Sequence, residues 1–167
     1  MKTIATGAAL LLLAFSTMAE AKGCDSPESH QFDFWVGRWQ VAPTSQPQRH
    51  VADSLIEKLY SGCAVRENWM PLKGDEGGSL NSYVPETKEW RQVWVDATGA
   101  WVDFRGGWKD DRMVLEGRWP QPGHPDQLSR TTYTVRADGA VRQFGETSDD
   151  QGKTWSPSFD FLYTRAP

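Results

Sequence analysis

Phe32-Asp33-Phe34-Trp35-Val36-Gly37-Arg38-Trp39-Gln40-Val41 decides the fold class, because it reads as the opening strand of a small barrel. At a period of two, Gly37 and Trp39 share a face, so the backbone can close tightly at a barrel floor while the indole plugs it. Beyond it, short aromatic or β-branched runs alternate with turn-forming clusters, and no window sustains a helical period over three turns. The candidate strands are Trp35 to Val41, Val51 to Tyr60, Ala64 to Met70, Ser79 to Tyr83, Trp90 to Asp96, Trp101 to Trp108, Arg112 to Trp119, Leu128 to Ala137, Val141 to Glu146 and Phe159 to Thr164. Within the second, Asp53 to Leu59 also suits a helical turn.

The connections set the topology. Asp138-Gly139 is a two-residue hairpin signal, and Pro85 to Lys88, Thr98-Gly99 and Lys109 to Asp111 suit further tight reversals. Successive tight reversals join neighbours in an antiparallel meander, and about ten such strands closing on themselves make an up-and-down barrel. A two-sheet sandwich would need longer crossings. The one long connection, Pro120 to Asp126, reads as a stiff surface loop or a cavity lid.

Before that domain, Met1-Lys2-Thr3, the apolar run Ala8 to Phe15 and Ala19-Glu20-Ala21 form a secretory signal, too short for a membrane span. Lys22 stands where a lipoprotein signal needs a small or apolar residue, which disfavours anchoring through Cys24. Residues 1–21 are therefore expected to be removed, leaving 22–167 as one periplasmic or secreted domain. Cys24 and Cys63 both fall in that exported part, where disulfides persist, and are expected to pair. The formal net charge is −4, with basic residues scattered, which argues against nucleic acid or an anionic membrane as partner.

Metal, cofactor and nucleophile chemistry find little support. His30, His50 and His124 lie in predicted loops or at a strand edge without H-x-H or HExxH spacing, and neither a G-x-S-x-G elbow nor a Cys-His pair is present. Ser148-Asp149-Asp150-Gln151-Gly152-Lys153-Thr154-Trp155 resembles the Asp-box, S-x-D-x-G-x-T-W. That likeness implies a structural hairpin in which Asp150 bonds the turn backbone, Gly152 takes an unusual dihedral and Trp155 packs beneath; it implies no glycosidase.

Strand faces are more informative. Val65, Glu67 and Trp69 alternate on one strand, then Trp90, Gln92 and Trp94, Met113 and Leu115, Tyr133 and Val135, Val141 and Gln143, and Phe159, Phe161 and Tyr163. These faces are apolar with a polar group set among them, whereas Arg66, Asn68, Arg91, Glu116, Arg136, Arg142 and Glu146 suit solvent. An inner wall of this kind is what a small-molecule site needs, with Glu67, Trp69, Tyr83, Gln92, Trp94, Tyr133 and Gln143 as candidate ligand contacts. The competing reading is a packed core in which Glu67, Gln92 and Gln143 satisfy one another.

A carboxylate among aromatics has a raised pKa, so Glu67 is also the candidate general acid or base of a cofactor-free isomerase or hydrolase, with Tyr83 or Tyr133. Pairing of Glu67 with Arg66 or Arg105 would remove that chemistry. A third reading is carbohydrate or protein binding through exposed Trp101, Trp108 and Trp119.

Phe32 to Trp39, with Gly62-Cys63, Glu67-Asn68-Trp69, Trp90 to Asp96 and Gly152 to Trp155, resembles an exported bacterial family of unknown function with an FDFW-x-G-x-W signature. Its members look like lipocalin-type calycins. The resemblance implies a barrel and export, with no activity attached. It also implies that Trp39 is covered by an arginine near the last strand, for which Arg165 is placed.

Overall fold

The computed structural model describes residues 24–167; the signal segment expected over residues 1–21 lies outside the described residues. Two single-turn 3-10 helices, Pro27–His30 and Asp33–Trp35, lead into β1 (Gly37–Pro43). The remaining strands are β2 (Ala52–Leu59), β3 (Ala64–Pro71), β4 (Gly77–Val84), β5 (Glu89–Asp96), β6 (Trp101–Lys109), β7 (Arg112–Arg118), β8 (Leu128–Val135), β9 (Val141–Ser148) and β10 (Ser156–Arg165). Each pairs antiparallel with its sequence neighbour, and β1 pairs with β10 to close the sheet. The all-β up-and-down barrel expected from the turn pattern is therefore the architecture, and Asp53 to Leu59 is strand rather than helix.

Inward and outward faces follow the sequence alternation. Val65, Glu67, Trp90, Gln92, Met113, Leu115, Tyr133, Val141 and Tyr163 are buried, while the outer wall carries ion pairs such as Arg142–Asp160 at 2.8 Å and Arg130–Glu146 at 2.9 Å. A charged outer wall over an aromatic interior suits water outside, the reverse of a lipid-facing barrel. Val135 departs from its expected inward place: it is the last residue of β8 and is exposed at the rim.

The opening segment differs in its first half. Strand geometry begins only at Gly37, and Asp33–Trp35 is a 3-10 turn that brings Phe32 and Trp35 into stacked contact at 5.0 Å. The physical reason is that both residues must enter the lumen, and a spacing of three puts them on one side of a helical turn whereas a strand would send them to opposite faces. Both are fully buried, with Phe32 edge-on to Trp90 at 5.5 Å and to Tyr133 at 4.9 Å. The floor plug is thus the arm before β1 together with Trp39.

Trp39 is the hinge of that floor. Its Nε1 donates to the Trp35 carbonyl at 2.7 Å, Ser54 and Arg165 flank it across the ladder, and the Arg165 guanidinium lies 3.9 Å from its ring centroid. Arg165 Nη1 also donates to the Val36 carbonyl at 2.7 Å. Gly37 leaves the space this arginine occupies: its φ is +144°, and a Cβ there would lie 1.9 Å from Arg165 Nη1. Cys24 and Cys63 are bonded, with Cα atoms 4.9 Å apart, tying the arm to the β2–β3 connection at the same end.

At the opposite end the Asp-box closes the β9–β10 turn. The Asp150 carboxylate accepts from Thr154 N at 2.9 Å and Ser148 Oγ at 2.8 Å, and these bonds, chiefly with Thr154, hold its pKa down to about 2. Trp155 Nε1 donates to the Gly152 carbonyl at 3.0 Å, and Arg130 covers the indole at 4.0 Å. The β8–β9 hairpin is one residue longer than expected. Arg136 N donates to the Ala140 carbonyl and Gly139 N to the Arg136 carbonyl, so Ala137 and Asp138 form the turn. Of the Asp138-Gly139 pair only Gly139 is left-handed, where a two-residue type I′ loop requires both.

Two outcomes test this floor. Gly37→Ala lowers stability by about 2 kcal/mol, since it strains the backbone and displaces Arg165, and the loss shrinks when combined with Arg165→Ala. Replacing both cysteines with serine costs ~4 kcal/mol on loop entropy for a separation of 39 residues. Urea denaturation midpoints measure both.

Candidate functional site

Ten strands enclose more width than side chains from the wall can fill, and the interior is divided into tiers. The aromatic plug fills the end at which β1 begins. Above it a polar tier crosses the lumen, and beyond that a cavity of about 180 Å³ opens at the far end. Trp69, Trp94, Trp119, Phe104, Phe159 and Phe161 form its walls, with Glu67, Gln92, Thr131, Tyr133, Gln143 and Tyr163 toward its floor. The alternatives of hollow barrel and packed core are both realised, at opposite ends.

The walls come from aromatic side chains in contact along and between strands. Trp69 of β3 lies 5.6 Å from Phe161 of β10, Phe161 stacks on Phe159 at 5.4 Å, and Phe104 of β6 meets Trp119 edge-on at 6.4 Å. Phe159 has room because its cross-strand partner is Gly145, where a Cβ would lie 2.1 Å from the Phe159 ring. Trp94 is oriented by donation from Nε1 to Asp96 Oδ2 at 3.1 Å, at the mouth end of β5. Hydrogen bonds, led by that from Thr98, hold the Asp96 carboxyl below its ordinary range.

The polar tier is a ring of hydrogen bonds. Ser54 Oγ donates to Glu67 Oε1 at 3.0 Å, Ser79 Oγ to Glu67 Oε2 at 3.4 Å, and Asn81 Nδ2 to Ser79 Oγ at 3.0 Å. Asn81 Nδ2 also donates to the Val65 carbonyl at 2.8 Å, which fixes the amide orientation because a carbonyl can only accept. Gln92 Nε2 must then be the donor to Asn81 Oδ1 at 2.6 Å, and it reaches the Tyr133 hydroxyl at 3.3 Å. Gln143 Nε2 donates to the same hydroxyl at 3.1 Å, and Tyr163 donates to Gln143 Oε1 at 2.7 Å. A contact of 3.3 Å between Tyr163 and Glu67 Oε1 closes the ring.

Tyr163 has one proton for two neighbours, and the shorter contact assigns it to Gln143; a protonated Glu67 then supplies the hydrogen shared with Tyr163. Burial raises the Glu67 pKa from 4.5 to about 7, against the lowering effect of bonds from Ser54, Tyr163 and Ser79. Burial, aided by the Glu67 charge, pushes Tyr133 and Tyr163 well above their ordinary value, so both stay neutral phenols. Tyr133 accepts from two amides, which leaves its own proton and Gln92 Oε1 without a partner among the described residues. Both side chains line the cavity.

Six of the seven expected ligand contacts, Glu67, Trp69, Gln92, Trp94, Tyr133 and Gln143, line this cavity. Tyr83 is the exception: it packs 6.2 Å from Trp90 at the plugged end, because its place on β4 lies below the polar tier. Sequence reasoning did not include Ser54, Ser79, Asn81 and Thr131 in the site; their period-two spacing with buried neighbours was the available signal. Glu67 has no cationic partner among the described residues. Arg66 instead pairs with Glu57 outside, and Arg105 lies on the outer face of β6. The three tryptophans read as an exposed set share no face. Trp101 is 67% exposed, Trp108 touches Phe34 at 5.8 Å at the plugged end, and Trp119 lines the cavity.

The raised carboxyl gives stability a definite pH dependence. The folded chain holds the Glu67 proton more tightly than the unfolded chain, so the contribution of this group is fully present below pH 4.5 and is lost as pH rises through about 7. The loss amounts to about 3 kcal/mol for this shift. Glu67→Gln is expected to match the parent near pH 5 and exceed its stability near pH 8. Parallel denaturation at both pH values checks the crossing, and an equal difference at both would contradict it. No protein-family model matches the chain, and none of the curated proteins matches it either.

Proposed function

We propose that this barrel binds a small apolar or aromatic molecule inside its open end. The observation that carries the reading is a cavity of about 180 Å³, walled by six aromatic side chains and floored by groups whose hydrogen-bonding capacity is not exhausted. Apolar cavities near 150 Å³ accommodate a benzene-sized guest, so one or two rings fit. The walls supply affinity through buried area, and the Tyr133 hydroxyl with Gln92 Oε1 supplies orientation. Export is part of the reading, supported by the disulfide, the apolar leader and the likeness to exported calycin-type proteins.

A second reading, cofactor-free acid–base catalysis, draws on Glu67 alone. A carboxyl that titrates near 7 at a cavity floor can hold or release a proton under ordinary conditions. Tyr133 would serve there as a neutral hydrogen-bond donor rather than as an acid. Retention of full turnover by Glu67→Gln on any substrate found would remove this reading.

Indole- and naphthalene-sized probes are expected to quench or shift tryptophan emission, with a 1:1 stoichiometry by calorimetry. Trp94→Ala or Phe161→Ala should weaken binding about tenfold through lost apolar contact, while Trp101→Ala leaves it unchanged. Native mass spectrometry of protein taken from its source should find a small guest. An always empty barrel that also ignores a broad probe panel would refute the proposal.

A further inference from the structure

Among the groups that face the cavity, Glu67 is chemically unlike the rest. Its surroundings, element by element, are Ser54 from β2, Ser79 from β4, Tyr133 from β8 and Tyr163 from β10, with Gln143 from β9 beyond Tyr163, all uncharged. Lysine, arginine and histidine are absent from the cavity lining among the described residues. A carboxylate removed from water in this way lacks the counter-charge that would offset its desolvation. A small cation would supply that counter-charge, and the aromatic cavity reaches Glu67.

We propose that the cavity takes a monocationic amine with an aryl or branched apolar tail, its ammonium group paired with Glu67. This rests on the reading of the cavity as a ligand site and narrows it. An ammonium group needs acceptors, and the floor holds the two Glu67 oxygens and the unpartnered Gln92 Oε1. The aromatic faces above it attract positive charge through their quadrupoles as well as burying the tail. An anionic guest would meet Glu67 and would find neutral donors alone to hold it. At the mouth, Asp96 is kept ionised and adds a field of the same sign, which favours entry of a cation over an anion.

Binding of the amine and ionisation of Glu67 are linked. The ammonium form pairs with the ionised carboxyl, so binding below neutral pH must release the Glu67 proton and weakens accordingly. With a carboxyl that titrates at about 7, affinity for the cation is about tenfold lower at pH 6 than at pH 8. A neutral isostere has no such requirement.

Three probes of one shape separate the possibilities: 2-phenylethylammonium, 2-phenylethanol and phenylacetate, each titrated by calorimetry at pH 6 and pH 8. The expected result is that the ammonium ion binds at least tenfold more tightly than the alcohol at pH 8, with that preference shrinking at pH 6. Glu67→Gln should abolish the preference and keep alcohol binding, which also shows that the variant is folded. Equal or tighter binding of the alcohol or the carboxylate by the parent protein at pH 8 overturns the amine assignment and leaves the cavity reading standing. Failure of all three to bind folded parent protein overturns the amine assignment, and the cavity reading falls with it when the indole- and naphthalene-sized probes fail as well.

Discussion

The width of a closed ten-strand sheet governs everything else in this molecule. Side chains projecting from such a wall leave much of the lumen unfilled, so the rest must be filled by something other than the strands, or left open. At one end the chain solves this with its own N-terminal arm, whose Phe32 and Trp35 enter beneath the sheet and are capped by Trp39 and Arg165. At the other end the wall carries aromatic residues that line a hollow, with no segment inserted among them from the described residues. Asymmetry between the two ends is therefore a consequence of having one arm and two openings.

The polar ring sits where these two regimes meet. Carboxyl, amide, hydroxyl and phenol groups from β2, β3, β4, β5, β8, β9 and β10 satisfy one another across the lumen, which no single strand could arrange. Such a ring resists collapse of the cavity, since tilting any one member inward would orphan its neighbour in a poorly solvated place. It also has two self-consistent orientations. With Glu67 protonated, Tyr163 points to Gln143; with Glu67 ionised, Tyr163 turns its proton to the carboxylate and the Gln143 amide must rotate to follow. In the second arrangement Tyr133 donates to Gln143, so the proton offered to the cavity by Tyr133 depends on the charge of Glu67.

Strand order, barrel closure and most of the inner face were legible in the chain because period-two alternation and tight reversals are local signals. Glu67, Gln92 and Gln143 stood out for the same reason, each being a polar residue on an otherwise apolar face. What escaped was non-local. Phe32 and Trp35 carry a spacing of three that fits a helical turn, yet aromatic richness reads as strand until the lumen they fill is known. Tyr83 has the right parity and the wrong height, and height in a barrel depends on the stagger of strands that sequence alternation does not encode. Ser54, Ser79 and Asn81 are residue types at home in solvent, and only the register that brings Ser54 and Ser79 to Glu67 and Asn81 to Ser79 makes them part of the ring.

Glu67 poses the sharpest physical question, because the ring does not need a charge. Glutamine has the same shape, can accept from Ser54 or Ser79, and can donate where a protonated carboxyl does; all other ring members are already neutral groups. Glutamine would also remove the penalty that the acid imposes as pH rises through 7. The proposed cation site would account for a buried acid that weakens the fold at neutral pH in a place where its neutral isostere fits.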